Sequence, residues 1–338
     1  MKVKLSICIP TYNRIEFLPG TIKSILDQYT PEMQIVISDN FSNDGTKELV
    51  QELITTHPEC NIKYFCWDKN MGADLNYMKV IEIADGEYCW FLGSDDQIIT
   101  GAVKKVITKL SLNYDTLLFC RINCDYYLIP IRTEYALKKG IHESTYNFSD
   151  KYELIRYLKN AQDLSALFSY LSTIIVKKSV WDNIPLVQSF IGSAYSHVYK
   201  ILSILRKDGK LFYSSQRIVF LRMGNDSFET EKKIERFLLD INGYRDLGEY
   251  FFHNSEELKY YFWGVLRACF SWKWLYKARI SAESKKDWID MEKKLKDLFF
   301  SKTKLSIVNY TFPIAKLLLR MRNTSKNVNN TIIKKIKI

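Results

Sequence analysis

The chain has 338 residues, of which 47% are apolar, so it is long enough for two domains and can bury a sizeable core. Its formal net charge is +11, but nine of its 49 Lys and Arg lie in residues 301–338, where there is no Asp or Glu. The first 300 residues therefore carry 40 basic and 38 acidic side chains, which excludes a body that binds nucleic acid through excess positive charge.

The cysteines and the apolar runs indicate where the protein works. Seven cysteines form an odd number with no CxxC pair, which is typical of a reducing compartment without disulfides or a zinc site. The apolar run near the N-terminus is too short for a signal peptide, and no run reaches the roughly 18 apolar residues of a membrane-spanning helix. We therefore expect a cytoplasmic protein.

Strands and helices alternate through the first hundred residues. Short apolar runs predict strands at Leu5–Ile9, Gln34–Ser38, Ile62–Cys66 and Tyr88–Leu92. Apolar residues at helical spacing predict the intervening helices at Ile15–Gln28, Lys47–Thr55 and Leu75–Ala84. Alternation of this kind with short loops predicts an α/β fold with a parallel sheet covered by helices.

Polar residues follow each of these four strands. They are Thr11–Arg14, Asp39–Asn40, Asp68–Gly72 and Asp95–Asp96. Because parallel strands end at the same edge of a sheet, these residues form one continuous rim, which is where open α/β folds bind their ligands.

The segment Gly86–Asp96 is the most informative part of this rim. Its buried strand runs directly into two adjacent carboxylates, which repel each other unless a cation lies beside them. The alternative is that Ser94, Asp95 and Asp96 only cap the helix that begins near Gly101. The segment alone leaves both interpretations open.

Signals are weaker after residue 100. We predict strands at Thr116–Arg121, Thr173–Val176 and Ile218–Arg222, and a helix at Lys151–Phe168. Residues 229–300 have a helical pattern, and their aromatic residues are concentrated in 259–280. We therefore divide the chain into a catalytic domain at 1–228 and a helical C-terminal region at 229–338.

Four motifs now stand in order over residues 3–110: Ser6–Arg14, Ser38–Thr46, Asn70-x-Gly72-x-x-x-Asn76 and Gly86–Asp96. In wording and spacing they resemble the successive motifs of family 2 glycosyltransferases. The wording SDN and GSDD is most similar to the abequosyltransferase-type branch, which builds bacterial O-antigens. The resemblance implies a GT-A fold, which is Rossmann-like with a mostly parallel sheet flanked by helices, here with a helical C-terminal appendage. It also implies a nucleotide-sugar donor.

The resemblance assigns the donor site to residues at the strand ends. The assigned residues are Pro10, Thr11, Tyr12, Arg14, Asp39, Asn70, Gly72, Ser94 and Arg222. Asp39 resembles the acid that accepts a hydrogen bond from the pyrimidine base, although it can also be a turn-forming residue. Asn70 and Gly72 resemble a loop that the donor approaches, or simple turn residues. Arg222 can bind diphosphate or form a surface ion pair.

The resemblance also implies a divalent cation. Asp95 is similar to the last acid of the family's DxD motif, which binds Mg²⁺ or Mn²⁺ on the donor diphosphate. This chain has Gly93 at the position of the first acid of that motif. We therefore expect Asp96 to share the metal with Asp95.

The family's general base has its best positional counterpart at His197, in the pair Ser196–His197. An imidazole with an ordinary pKa suits a base at neutral pH. His197 can also be a metal ligand or a buried histidine without chemistry, and Asp182 and Asp163 are the fallback bases. We assign His197 and Asp95 as the catalytic residues.

The segment Lys304–Ile338 interleaves apolar and basic residues. Such a segment can lie on an anionic membrane, or it can be a helix packed on the catalytic domain. Peripheral contact with the inner face of the cell membrane agrees with the lipid-linked oligosaccharide acceptor that the resemblance implies.

We therefore expect a glycosyltransferase that moves a sugar, such as the dideoxyhexose abequose, to a hydroxyl of a lipid-linked oligosaccharide. The alternatives are a sugar nucleotidyltransferase, which releases pyrophosphate, and a non-catalytic sugar-binding module. The neutral body argues against nucleic acid as a partner.

Overall fold

The computed structural model describes residues 2–225 and 233–317. The strands are β1 Leu5–Thr11, β2 Met33–Asp39, β3 Ile62–Cys66, β4 Tyr88–Phe91, β5 Gln97–Ile98, β6 Thr116–Cys124, β7 Pro130–Glu134, β8 Glu143–Asn147, β9 Ile174–Lys177 and β10 Lys210–Arg222. The helices are α1 Leu18–Leu26, α2 Thr46–Thr56, α3 Ala73–Glu82, α4 Ala102–Leu110, α5 Lys151–Asn160, α6 Lys178–Asp182, α7 Ser196–Arg206, α8 Lys233–Phe252, α9 Glu256–Cys269, α10 Trp272–Ser281, α11 Lys285–Asp297 and α12, residues 302–317.

One mixed sheet organises the molecule. Its strand order is β3-β2-β1-β4-β9-β6-β10-β5, with β7 paired to β6 and β8 paired to β10. Strands β1 to β4 pair in parallel, as predicted. Strand β9 runs antiparallel between β4 and β6, whereas β10 is parallel to β6. The carboxyl ends of β1, β2, β3 and β4 therefore meet at one edge.

Alternation along the strands divides the core between the two faces of the sheet. In β1, Leu5, Ile7 and Ile9 share a hydrophobic cluster with α1, α2 and α4. Cys8 points to the other face, in a cluster with α3 and the helices from α5 to α12. Because side chains alternate along a strand, the seven buried residues of β1 supply both layers.

Long-range pairing overrides the local pattern after β8. The helix predicted at Lys151–Phe168 ends at Asn160 in the structure, and a short 3₁₀ turn follows at Leu164–Leu167. The reason is a bridge between Ala161 and Leu137, which holds the chain extended at that point. Strand β10 is also longer than the predicted Ile218–Arg222.

The C-terminal region is helical, as predicted, and it shares its core with the sheet. Leu305 and Val308 of α12 are fully buried in the same cluster as Cys8 of β1. The predicted domain boundary between residues 228 and 229 lies outside the described residues, as do 318–338 of the basic tail. Among the described helices, none combines the length and the apolar character needed to cross a bilayer.

Candidate active site

Two adjacent carboxylates follow β4, and their surroundings differ. Asp96 is buried: its Oδ1 accepts the backbone N–H of Arg222 at 2.9 Å, and its Oδ2 accepts the hydroxyl of Ser172 at 2.5 Å. Asp95 accepts the side-chain amide of Asn225 on Oδ2, and no other described residue donates a hydrogen bond to its Oδ1. Asp96 therefore ties β10 and the turn before β9 to the end of β4, while Asp95 keeps one oxygen for a ligand.

The two acids also differ in charge. Burial and the neighbouring Asp95 raise the pKa of Asp96 to about 8. Burial raises the pKa of Asp95 as well, but Arg14, Arg222 and the amide of Asn225 favour its charged form. Asp95 is therefore the acid that presents negative charge at the end of β4.

A divalent cation fits this arrangement at Asp95. Mg²⁺ is usually held by one or two carboxylates together with substrate phosphates, and Oδ1 of Asp95, to which no other described residue donates, can supply one ligand. Asp96 does not have that freedom, because both of its oxygens already accept hydrogen bonds. Within residues 2–225 and 233–317, no cluster of three or more His, Cys, Asp or Glu could hold a metal alone. A cation here would depend on oxygens of the donor diphosphate.

Gly93 stands where the common DxD motif has its first acid, and the packing explains the difference. A Cβ atom at this residue would lie 3.0 Å from Asp96 Oδ2, 3.1 Å from Asp95 Oδ1 and 3.3 Å from Ser172 Oγ. These distances are tight, so a side chain would displace the carboxylates. In this chain the glycine lets both acids pack closely against the end of β4.

A cavity of about 450 Å³ lies at the carboxyl ends of the parallel strands, and its lining includes Ser94, the residue before Asp95, but neither Asp95 nor Asp96. It is lined by Pro10, Thr11, Tyr12, Asn13, Arg14, Asn40, Asn70, Gly72, Ala73, Asn76, Tyr77 and Ser94. The structure thus brings together seven of the nine residues assigned to the donor. The other two, Asp39 and Arg222, lie outside this lining.

Two asparagines that were not assigned to the donor shape the cavity. The Asn76 amide donates to the carbonyls of Thr11, at 3.2 Å, and Ser38, at 2.9 Å, and so joins β1 to β2. The Asn40 amide donates to Asn70 Oδ1 at 2.8 Å and fixes the loop before α3. The sequence motif included Asn76, six positions after Asn70. The spacing did not reveal which strands Asn76 joins.

Comparison with known proteins identifies the family of this chain. Residues 6–166 match the sequence model of glycosyl transferase family 2. Over 98% of its length the chain is 32% identical to the abequosyltransferase RfbV of Salmonella typhimurium, of which it covers 99%. The chain belongs to glycosyl transferase family 2. The predicted family and the predicted enzyme class, a glycosyltransferase, are confirmed.

Further comparisons cover different parts of this glycosyltransferase. Over 112 residues, which are 33% of this chain and 36% of the relative, it is 36% identical to the GalNAc(5)-diNAcBac-PP-undecaprenol beta-1,3-glucosyltransferase of Campylobacter jejuni. The crystal structure of S. aureus TarS 1–349 in complex with UDP superposes with a TM-score of 0.61 at 15% identity. The superposition covers 88% of this chain and 80% of the TarS 1–349 chain, and this likeness confirms the predicted GT-A fold.

Arginines border the glycosyltransferase's acids. Arg222 donates through Nε to the carbonyl of Asp95 at 2.9 Å, donates through Nη1 to the carbonyl of Tyr126, and lies 4.7 Å from the ring centre of Phe17. Arg14 donates to the carbonyl of Asn225 at 2.9 Å. Both guanidinium groups are thus held beside Asp95, where a diphosphate would meet them.

Asp39 lies beneath the cavity rather than in its wall. It is fully buried, its Oδ1 accepts the backbone N–H of Ser42 at 2.9 Å, and its Oδ2 accepts the hydroxyl of Tyr64 at 2.8 Å. Both oxygens therefore have partners, and the carboxylate fixes the turn that follows β2.

His197 lies in the first turn of α7, and the structure does not place it in the cavity. Its side chain is 2% exposed, and its Nε2 lies 3.0 Å from the carbonyl of Phe168. Because a carbonyl can only accept, Nε2 carries the proton, and Nδ1 is a buried acceptor without a partner in the described part of the chain. Burial lowers the pKa of His197 to about 4. Tyr77, which lines the cavity, packs edge-on against the imidazole.

The fallback bases also lie outside the cavity lining. Asp182 pairs with Lys178 on the surface of α6 at 2.9 Å. Asp163 pairs at 2.9 Å with the buried guanidinium of Arg121, which, with the hydrogen bonds from Ser165, lowers the pKa of the Asp163 carboxyl.

Proposed function

We propose that this glycosyltransferase moves a sugar from a nucleoside diphosphate donor to a hydroxyl of a lipid-linked oligosaccharide, during synthesis of a bacterial surface polysaccharide such as O-antigen. The observation that carries the proposal is the polar cavity at the strand ends, with Arg14 and Ser94 in its wall and Asp95 directly after Ser94 in the chain. It offers an aromatic face, backbone groups and a cation to a nucleotide, which is the set a nucleoside diphosphate requires.

The relatives guide the finer assignment. The relative aligned over nearly the whole chain is an abequosyltransferase by name, so we propose a dideoxyhexose such as abequose as the transferred sugar. A second relative is named for an acceptor on undecaprenyl diphosphate, so we propose an acceptor carried on a polyprenyl diphosphate.

Each residue of the site has a role in this proposal. Pro10, Thr11 and Tyr12 contact the nucleoside, Arg14 contacts ribose or phosphate, and Asn70, Gly72 and Ser94 let the donor approach the backbone. Asp39 positions the turn beneath the base, and Arg222 holds the strand end beside the diphosphate.

Asp95 would hold Mg²⁺ or Mn²⁺, which neutralises the charge that develops on a departing nucleoside diphosphate. Asp96, with both oxygens engaged, supports Asp95 rather than sharing the metal. For His197 we propose a supporting role beneath Tyr77, because its free nitrogen is buried.

We also propose that α12 rests on the inner face of the cell membrane. One face of this helix is buried through Leu305 and Val308, which agrees with the packed-helix alternative. The opposite face exposes an apolar stripe at Ile307, Tyr310, Ile314 and Leu317, and their exposed fractions are 43%, 89%, 63% and 58%. Lysines flank the stripe, and residues 301–338 contain no acid, so an anionic bilayer is its best complement.

The test is a transfer assay with UDP-, CDP-, GDP- and dTDP-linked sugars, a polyprenyl-linked acceptor and Mn²⁺. One donor should release its nucleoside diphosphate when the acceptor is present. Asp95→Asn should lower this rate about a hundredfold or more, while Asp27→Asn, a surface control, leaves it unchanged. Release of pyrophosphate would instead indicate a nucleotidyltransferase, and full activity of Asp95→Asn would remove the role of that residue.

A further inference from the structure

A second cavity, of about 520 Å³, opens between the end of β10, the start of α8 and the end of α10. We call it the α8–α10 groove. Its lining includes Gly224, Lys233, Arg236, Phe237, Lys277 and Ile280. None of these residues lines the cavity of about 450 Å³ at the strand ends, so the groove is a separate feature of the surface.

The groove combines positive charge with apolar surface. Arg236 pairs with Asp240 at 2.7 Å, whereas Lys233 and Lys277 are exposed and form no ion pair within the described residues. Beside these cations lie the ring of Phe237 and the side chain of Ile280, which is 45% exposed. Cations that adjoin an exposed apolar floor match an anion that is joined directly to a hydrocarbon.

The position of the groove connects it to the catalytic acids. Gly224 adopts a positive φ of 94° directly after Met223, so the chain turns sharply at the point where it leaves Arg222. The next residue, Asn225, bonds to the carboxylate of Asp95. One end of the groove is therefore only a residue away, along the chain, from a direct partner of Asp95.

The other wall of the groove connects to the proposed membrane helix. Helix α10 supplies Lys277 and Ile280 to the groove and packs against α12 through Tyr276 and Arg279. The Arg279 guanidinium lies 4.3 Å from the ring centre of Phe312. The groove thus lies between the catalytic edge and a helix whose outer face is apolar.

We propose that the α8–α10 groove binds the diphosphate and the first isoprene units of the lipid-linked acceptor. This inference rests on the proposed function for the identity of the acceptor. Lys233, Arg236 and Lys277 contact the phosphates, while Phe237 and Ile280 contact the hydrocarbon. Seating the carrier here places its sugars toward Asp95.

Farnesyl diphosphate is a soluble probe for this groove. Its binding to the full chain can be followed by calorimetry and by fluorescence of Trp274, whose ring packs at 5.1 Å against Phe237. The probe should bind more tightly than inorganic pyrophosphate or farnesol, because only the probe offers both parts of the ligand. The Trp274→Phe variant should abolish most of the fluorescence change but leave the calorimetric affinity in place.

Charge-reversal variants locate the phosphate. Lys233→Glu with Lys277→Glu should weaken farnesyl diphosphate binding about tenfold or more, because two charge-assisted contacts are lost. The control, Lys273→Glu with Lys285→Glu, makes the same change in net charge at exposed residues outside the groove. Equal weakening in both double variants, or none in either, would overturn the proposal.

An apolar pair of variants locates the hydrocarbon. Ile280→Ser should weaken farnesyl diphosphate and not pyrophosphate, while Ile289→Ser, at a residue 51% exposed on α11, should change neither. Displacement of the probe by nucleoside diphosphates would place it in the donor cavity and overturn the proposal. Because nucleotide binding is measured on the same protein, failure of the groove is distinguishable from failure of the proposed transferase activity.

Discussion

At the scale of single residues, the acids of this chain differ from the common pattern because their surroundings do. Gly93 leaves room for both carboxylates. Asp96 accepts hydrogen bonds from Ser172 and Arg222, whereas Asp95 accepts the side-chain amide of Asn225. The sequence predicted that the two acids share a metal, whereas in the structure both oxygens of Asp96 already accept hydrogen bonds. The hydrogen bonds to Asp96 come from Ser172 and Arg222, which lie 76 and 126 positions after it in the chain. No local sequence pattern reveals contacts over such distances.

Adding a methyl group at Gly93 tests this arrangement. Gly93→Ala should lower kcat/KM roughly tenfold to a hundredfold, because the new Cβ displaces Asp95 and Asp96 by a few tenths of an ångström. The control is Gly264→Ala in α9, where a Cβ meets only the flexible end of Arg267. An active Gly93→Ala enzyme would show that the carboxylates tolerate displacement.

His197 makes a pH-dependent contribution to stability. Its pKa is about 4 in the folded protein and near 6.5 when unfolded, so the unfolded state binds more protons between these values. Stability conferred by the neutral imidazole is therefore complete above pH 6.5 and is lost as the pH falls. Relative to His197→Phe, the wild-type free energy of unfolding should decrease by about 2 kcal/mol from pH 7 to pH 5.

Urea unfolding of both proteins at pH 7, 6 and 5 measures this difference. A constant difference would mean that His197 titrates normally and is accessible to water. That outcome would support His197 as the general base, which is the role predicted from the position of the Ser196–His197 pair.

At the scale of elements, the carboxylate of Asp74 links α3 to the start of α7. Asp74 in α3 is 3% exposed and accepts the backbone N–H groups of Gly192 at 2.8 Å, Ala194 at 2.9 Å and Ser196 at 3.1 Å. Both Gly192 and Ala194 have positive φ, so the loop curls around the acid. This carboxylate sets where α7 begins and hence where Tyr77 meets His197.

Asp74→Asn should destabilise the protein by about 2–3 kcal/mol, because a side-chain amide cannot accept all three bonds. The matched control is Asp150→Asn, which caps α5 at the surface through two backbone amides. Since Asn caps a helix nearly as well as Asp, the control should lose less than about 1 kcal/mol. Urea midpoints for the two variants give the comparison, and equal losses would contradict the special role of Asp74.

The elements that the sequence predicted best are those that depend on local pattern. Strands β1, β2 and β4 are short runs that are buried on both faces, and helices follow β1, β2 and β3 after short loops, so their order was readable. The helix predicted at Lys151–Phe168 was wrong beyond Asn160, where the Leu137–Ala161 bridge joins distant segments and only a 3₁₀ turn follows at Leu164–Leu167. The polar strand β8, Glu143–Asn147, has no apolar pattern and forms only because β10 pairs with it.

At the scale of the whole molecule, three features lie on the surface. They are the cavity at the carboxyl ends of the parallel strands, the α8–α10 groove and the apolar stripe of α12. The tail's composition predicted either membrane contact or packing. One face of α12 is buried through Leu305 and Val308, and we propose that the opposite, exposed face contacts the membrane. Sequence alone could not separate them, because it does not show which face the sheet's hydrophobic cluster covers.

Flotation with phosphatidylglycerol vesicles tests the stripe. Replacing Tyr310, Ile314 and Leu317 with Ser should weaken binding roughly tenfold, because the exposed apolar surface that enters the interface is removed. Ser at Ile54 and Leu112, which are 37% and 48% exposed elsewhere, is the control. Unchanged flotation of the triple variant would show that the stripe does not contact lipid.

The central claim is that the cavity beside Asp95 binds a nucleoside diphosphate with a cation. The most direct measurement is thermal unfolding with UDP, CDP, GDP or dTDP, each with Mn²⁺ or with EDTA, for the wild type and Asp95→Asn. We predict that one nucleotide at about 100 times its Kd raises the Tm by a few degrees, and that the gain from Mn²⁺ disappears in Asp95→Asn. No stabilisation by any nucleotide, or an equal gain from Mn²⁺ in both proteins, would contradict the account.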